Sequence, residues 1–447
     1  MKNLLIITTA LLALTHVMLA AEKPNFIIIY TDDQGYGDTS MYGKKDILTP
    51  NMDRIGKEGM LFTQMRANCT VCSPSRAAML TGIYADRAGA PGVIRTQPED
   101  SWGYLDPAVP TLADELKKVG YHTALVGKWH LGLKAPNVPN DRGFDFFHGF
   151  LGDMMDDYYD GKRGGINFLR RNKEVVPPTK HATDMFTDWA DDYLKERSEK
   201  KSEPFFLYLA YNAPHFPIQP PEEWVEKVRK RQPEMDIKRA RSVAFVEHLD
   251  AAIGRVLGAL DEYGLAENTV VFFASDNRGS LRYHQNNDPW RGGKQDHYDG
   301  GLKVPFSVRW PGTVKAGSTS DYQGLTFDIF STCIDMAGGK LRDDLDAVSL
   351  VPLLKGEEFQ TPKRELYFVR REGGPKAGKA YHAIIAGGWK LMQNDPFSPL
   401  ELYNLNEDPQ ETKNLVSTEK KKVQELTARL RNHIQRGGKT PWQEPTE

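Results

Sequence analysis

Only three cysteines occur in 447 residues, Cys69, Cys72 and Cys333. Three thiols cannot staple a chain of this length, which excludes a disulfide scaffold. Cys69-Thr70-Val71-Cys72 has the spacing of a redox or zinc pair, but there is no second pair to complete a zinc site. Net charge is also missing: 58 Lys and Arg stand against 60 Asp and Glu, so no overall field exists to hold a polyanion such as nucleic acid. Any anionic ligand must be met by a local cluster. Beyond the N-terminus no apolar run approaches the roughly 20 residues a membrane span needs. Internal repeats and low-complexity tracts are absent too.

What is present suits a multilayer enzyme. At a size prior of roughly 150 residues per domain, the chain makes two or three units or one large one. Apolar residues at 40% and charged residues at 26%, with 39 glycines and 28 prolines spread along the chain, describe an ordered globular protein with many loops. The N-terminus reads as a secretory signal peptide over residues 1–21: Lys2, an apolar stretch from Leu4 to about Leu14, then Ala20 and Ala21 before Glu22. Thr8, Thr9, Thr15 and His16 interrupt the stretch, so cleavage is expected, with no membrane attachment afterwards and export to the periplasm or the medium.

Short apolar, β-branched or aromatic runs alternate with helix-like segments, the pattern of a mainly parallel sheet flanked by helices. Strands are expected at Asn25–Tyr30, Tyr121–Val126, Phe205–Tyr211 and Thr269–Ala274, with helices at Pro50–Glu58, Thr111–Val119 and Ala240–Tyr263. From about residue 338 the texture changes. Short strands at Glu365–Phe368, Tyr381–Ala386 and Trp389–Met392 and a charged helix at Thr418–Arg436 indicate a smaller antiparallel sheet with one covering helix. The expected fold class is therefore α/β, a large mainly parallel sheet over residues 22–360 and a C-terminal antiparallel-sheet subdomain over 361–447.

Four of the strand runs end in chemistry: Asp32-Asp33, Lys128-Trp129-His130, Asn212 to His215, and Asp276-Asn277. Asp and Asn are common turn residues after strands. Four clusters of the same polarity nevertheless point to one site, because ligands of open parallel sheets bind at the C-terminal edge. The most specific string is Cys72-Ser73-Pro74-Ser75-Arg76. Average residue usage makes a chance Cys-x-Pro-Ser-Arg in a chain this long about one in a thousand. Pro74 suits the first turn of a helix, so Cys72 is expected at a helix N-terminus that favours an anion, with Arg76 one turn along. His148, His181, His284 and His297 are further candidates for a pocket entrance, and the aromatic residues Trp102, Tyr158, Tyr159, Trp290 and Trp310 for stacking on a sugar ring.

Through these motifs the chain resembles the type I, formylglycine-dependent sulfatases of the alkaline phosphatase superfold, over essentially its whole mature length. The resemblance implies sulfuric ester hydrolysis, with Cys72 oxidised to formylglycine by a maturation enzyme and Arg76 steadying it. It implies Asp32, Asp33, Asp276 and Asn277, with the modified Cys72, as metal ligands. Lys128, His130, His215 and Lys294 then surround the sulfate, with His215 as the acid for the leaving oxygen and His130 as the base. Hard oxygen ligands suit calcium, then magnesium, and not zinc. The implied substrate is a sulfated small molecule or glycan. A phosphodiesterase or phosphonate monoester hydrolase of the same superfold, or an inactive sulfated-glycan binder, are the alternatives. Where the family usually follows Asp-Asn with Gly, this chain has Arg278 before Gly279, and Arg278 is expected to reach toward an anionic substrate.

Overall fold

The β-branched run Asn25–Thr31 takes the centre of a ten-stranded sheet, where both faces are covered and every residue of the strand is buried. The computed structural model describes residues 23–97, 100–360, 363–372 and 379–438; the signal-peptide reading over 1–21 lies outside them. In chain order the strands of the first part are β1 (Asn25–Thr31), β2 (Met60–Phe62), β3 (His122–Lys128), β4 (Phe146–Phe150), β5 (Lys162–Arg163), β6 (Ile166–Asn167), β7 (Leu169–Arg171), β8 (Glu174–Val175), β9 (Phe205–Ala210), β10 (Thr269–Ser275), β11 (Phe306–Arg309) and β12 (Ser318–Ser320). The large sheet runs β12-β2-β11-β10-β1-β9-β3-β4-β7-β8. Its middle five strands, β10-β1-β9-β3-β4, are parallel. β11 and β7 pair antiparallel to either side of that block.

Helices cover this sheet. α1 (Pro50–Lys57), α2 (Cys72–Thr81), α3 (Leu112–Lys118), α4 (Ala182–Ser198), α5 (Glu222–Arg231) and α6 (Ile237–Glu262) precede β10, and the short α7 (Asp299–Leu302), α8 (Asp328–Met336) and α9 (Val351–Leu354) follow it. Thr111 caps α3 by accepting the N–H of Asp114, whose carboxylate in turn accepts from Thr111, a reciprocal cap. Thr49 does not cap α1; its hydroxyl donates to Asp53, and the Asp250 carboxylate of α6 accepts the N–H groups of Asn51 and Met52 instead.

The C-terminal part forms a four-stranded antiparallel sheet of β13 (Leu366–Glu372), β14 (Lys379–Ala386), β15 (Trp389–Gln393) and β16 (Glu401–Asn404), with α10 (Lys420–Arg436) against β14 and β15. Its core residues Phe368, Ile384 and Leu402 share one apolar cluster with Ala78 of α2 and with Tyr84 and Phe327. The small sheet is therefore packed against the helix that starts at Cys72. No described helix is long and apolar enough to cross a membrane.

Burial also sets an acid limit on stability. Desolvation holds His148, His181 and His382 at about 4. An unfolded histidine titrates near 6.5, so the unfolded chain binds protons that the folded chain refuses between pH 6.5 and 4. The stabilisation is complete above pH 6.5 and is lost as pH falls through this window, on the order of 1 kcal/mol per histidine per unit at most. The melting temperature should be level above pH 7 and fall steadily from 6.5 to 4; a level curve across that window would contradict the buried neutral histidines.

Candidate active site

The strand ends converge as the edge rule requires. Thr31 lies beside Ser275 and Gly127 beside Ala210 in register, so Asp32-Asp33, Lys128 to His130, Asn212 to His215 and Asp276-Asn277 all leave the sheet at one rim. Gly127 has φ +105, and a Cβ there would lie 2.0 Å from the carbonyl oxygen of Ala210, so the chain can deliver Lys128 to the rim only through glycine. Asp33 and His130 have φ of 63 and 60, a left-handed conformation that costs side chains energy and concentrates at functional sites.

Cys72 is the first residue of α2, after the extended Val71, and all ten residues of that helix are buried. Its Sγ lies 3.3 Å from Asp32 Oδ1, 4.0 Å from Asp33 Oδ1 and 3.8 Å from Lys294 Nζ. One turn on, Arg76 donates from Nε to Asp276 (2.9 Å), with Nη2 2.8 Å from the same carboxylate and 3.7 Å from Asp32. Lys128 meets Asp32 at 2.5 Å and Lys294 meets Asp33 at 2.7 Å. Three buried carboxylates thus face two buried cations, Arg76 and Lys128, and the part-buried Lys294.

The electrostatics are uneven. Burial alone would raise Asp32, but Lys128, His215 and Arg76 hold it well below the usual carboxylate range. Asp276 is pushed up to about 7 by burial and by the charge of Asp32. Burial and Asp32 push the Cys72 thiol well above its ordinary value. Asn277 gives its amide N–H to Asp33 at 2.7 Å, while its amide oxygen is buried with no hydrogen-bond partner among the described residues. A hard cation relieves each of these tensions, so the donor set fits calcium or magnesium.

The two histidines differ in proton placement. A carbonyl only accepts, so His130 Nε2 carries the proton it gives to Ile94 O (2.8 Å), leaving Nδ1 as a lone pair that is buried without a partner among the described residues. His215 Nδ1 likewise donates to Phe216 O at 2.7 Å, and its Nε2 lies 3.6 Å from Asp33. Burial first and Lys294 second hold His215 at about 4.

A cavity of about 440 Å³ opens over Cys72, with His130, His215 and Lys294 in its wall. A larger one, about 600 Å³, lies between Asp321–Gln323 and the Gly387-Gly388 turn, and none of the motif residues lines it. Phe216, Tyr283, Arg95, Arg282 and, from β13, Arg370 and Glu372 border the smaller cavity, and no motif marks any of them. Tyr158, a candidate for stacking on a sugar, is buried, and its Oη lies 2.7 and 2.9 Å from the carbonyl oxygens of Asn212 and His215, so it fixes that segment from behind.

The remaining candidates lie elsewhere. Trp102 is buried, Trp290 sits under the Lys303 ammonium at 3.4 Å, Trp310 packs on the core, and Tyr159, though exposed, does not border the cavity. His148 stacks on Trp189, His297 is buried, and His284 borders a separate surface hollow. His181, Asp184 and His248 could group around a metal, but His181 Nδ1 accepts from Thr183 and Nε2 meets Gln219 O, so the ring is already used as a helix cap. Cys69 is a buried thiol directed at Val369 O at 3.2 Å, whereas Cys72 faces Asp32, so the two cysteines serve different surroundings.

Arg278 also departs from expectation. It is fully buried, donates to both oxygens of Asn287 and to Lys303 O, and lies 5.2 Å over the Tyr36 ring. It points away from the cavity and ties down the loop after Asp276-Asn277. Arg278→Ala strands these acceptors, and the expected result is a loss of roughly 3 kcal/mol or more seen as a lower melting temperature, with KM unmoved. A raised KM at unchanged stability would restore the substrate-contact reading.

Comparison with known proteins adds a family. The sulfatase family model matches residues 24–339, and the model for the C-terminal part of N-sulphoglucosamine sulphohydrolases matches 293–439. The N-acetylgalactosamine-6-sulfatase of Mus musculus is 32% identical over 396 residues, covering 83% of this chain and 72% of that protein. A sulfatase of Formosa agariphila is 29% identical, covering 89% of this chain and 85% of that protein. Among solved structures, Ps i-CgsB in complex with k-i-k-neocarrahexaose superposes with a TM-score of 0.86 at 29% identity, over 95% of this chain and 96% of that one.

Proposed function

The chain belongs to the sulfatase family and is a sulfuric ester hydrolase, and on that premise we propose that it releases sulfate from a sulfated carbohydrate, with a formylglycine made from Cys72 and a calcium ion held by Asp32, Asp33, Asp276, Asn277 and residue 72. The substrate class follows the relatives, one named for a sulfated N-acetylgalactosamine and another solved with a neocarrahexaose. The reading rests on one observation above the rest: a thiol at a helix N-terminus, on the floor of a cationic cavity, that its surroundings keep protonated. A neutral thiol is a poor nucleophile. Formylglycine in its place supplies a geminal diol, one hydroxyl to attack sulfur and the other to lose its proton and expel sulfate. Calcium supplies Lewis acidity toward the sulfuryl oxygens.

The chain's own residues divide the rest of the work. Lys128, Lys294 and Arg76 offset the charge that builds on the sulfate oxygens. His130 presents an unprotonated Nδ1 and acts as the base. Burial keeps His215 neutral, and an anionic sulfate beside it favours the protonated ring, placing the acid where the leaving oxygen is. Because Cys72 to Arg76 are all buried in the folded chain, a maturation enzyme has to act before the fold closes. Export follows the N-terminal signal, and the catalytic unit ends near residue 360.

Lys294→Ala is expected to lower kcat by about 10² to 10³, the cost of one preorganised charge-stabilising donor. Steady-state kinetics on a sulfated sugar checks it, and a loss confined to KM would remove Lys294 from the transition state. Free sulfate released from a panel of sulfated mono- and oligosaccharides tests the substrate class; release from none of them would overturn it.

A further inference from the structure

The cavity over Cys72 holds more positive charge than one sulfate needs. Its wall carries five cationic side chains against the carboxylates of Asp153 and Glu372, a surplus of three in a chain whose net charge is −2. Lys294 belongs to the scissile sulfate. Arg163 is offset by Asp153 at 3.0 Å and Asp156 at 2.7 Å. Two charges remain unspent.

The first is on Arg95. Glu372 is shared between two guanidinium groups, Arg370 Nε at 2.6 Å and Arg95 Nη2 at 3.0 Å. Arg370 is 2% exposed, and its Nη1 is directed at Gln295 O. Arg95 keeps about a third of its side chain exposed, and its Nε and Nη1 make no hydrogen bond to the described residues. Arg95 is tied to the reaction centre, because the preceding residue, Ile94, accepts from His130 at its carbonyl and donates its N–H to Ser73 Oγ at 3.0 Å.

The second is on Arg282. It is exposed and has no carboxylate within 4 Å among the described residues. It lies over the Tyr283 ring at 5.9 Å, and Tyr283 continues a ladder of rings: Tyr283 on Phe216 at 4.5 Å, Phe216 on His215 at 4.4 Å. The ladder runs outward from the residue assigned to the leaving oxygen, and Arg282 stands at its outer end. An apolar ring face next to an open guanidinium suits a sugar that bears an oxyanion.

We propose that this cavity selects a sugar carrying a second anionic group besides the scissile sulfate, read by Arg282 and Arg95 while the sugar lies against Phe216 and Tyr283. This rests on the sulfatase reading above and narrows it. The second group is an oxyanion, a further sulfate or a carboxylate, and guanidinium binds either in the same bidentate way.

Three substrates test the inference: one monosulfated sugar, the same sugar with a second sulfate, and the same sugar with a carboxylate. In low salt, kcat/KM is expected to be about 10- to 100-fold higher for at least one dianionic form than for the monosulfated one. Which form is favoured assigns the second group. The preference should shrink as salt screens exposed charge, and Arg282→Ala and Arg95→Ala should each reduce it by about tenfold, with Arg282→Lys retaining part of it. Melting temperatures of the variants identify any loss that is only unfolding. Equal kcat/KM for all three sugars in the native protein overturns the second-anion inference and leaves the sulfatase reading standing, whereas no sulfate release from any of them is failure of that reading, and the inference falls with it.

Discussion

Cys72→Ala is expected to abolish sulfate release, by a factor of about 10⁴ or more, and to leave the protein folded. The size follows from the position of the side chain. Sγ lies within 4.0 Å of both Asp32 and Asp33 and of Lys294, and of the three cysteines Cys72 is the one that lines this cavity. What remains in the variant is the binding and charge stabilisation of Arg76, Lys128 and Lys294, which have nothing to deliver. The loss should be in kcat, because those three cations still bind the sulfate. Helix α2 keeps Pro74 in its first turn and its buried face, so the melting temperature should move little. Turnover within tenfold of the native protein would remove Cys72 from the chemistry.

Removing divalent cations is expected to lower turnover by about 10² to 10⁴ and to lower the melting temperature. Asp32, Asp33 and Asp276 lie close enough that Asp276 is pushed up to about 7 when nothing but Arg76, Lys128 and Lys294 offsets them. A dication supplies the missing charge, gives the stranded amide oxygen of Asn277 a partner, and makes the site attract a sulfate that three carboxylates would repel. Calcium should restore activity more fully than magnesium, whose strict octahedral shell fits a carboxylate-rich, irregular donor set less well. Zinc should restore little. Full activity after exhaustive chelation, confirmed metal-free by elemental analysis, would contradict the assignment of these four side chains.

Much of this site was legible because its chemistry is local. Each of β1, β3, β9 and β10 carries its polar cluster at the end of an apolar run, and period and composition mark the strand and, to within two residues, where it ends. The nucleophile string is readable for the same reason, since Pro74 and Arg76 act within one turn of Cys72. The small C-terminal sheet was readable as strands, though β13 runs to Glu372, beyond the expected Phe368, and it is those extra residues that enter the cavity. Here locality fails. Arg370 and Glu372 reach Gln295 and Arg95 across a separation of 75 residues or more, and nothing in their neighbourhood announces it. The same holds for Tyr283 on Phe216, a stack between two loops. Arg278 was misread because its type and place suggested a ligand contact, whereas its partners, Asn287 and Lys303, are set by how the following loop folds back.

Mass spectrometry of the peptide spanning residue 72, from active protein made in its native host and treated with a hydrazide that traps aldehydes, bears most directly on the proposed chemistry. The expected result is an aldehyde at residue 72 whose occupancy rises in proportion to specific activity across preparations. Full activity in protein whose residue 72 is entirely unmodified thiol would contradict it.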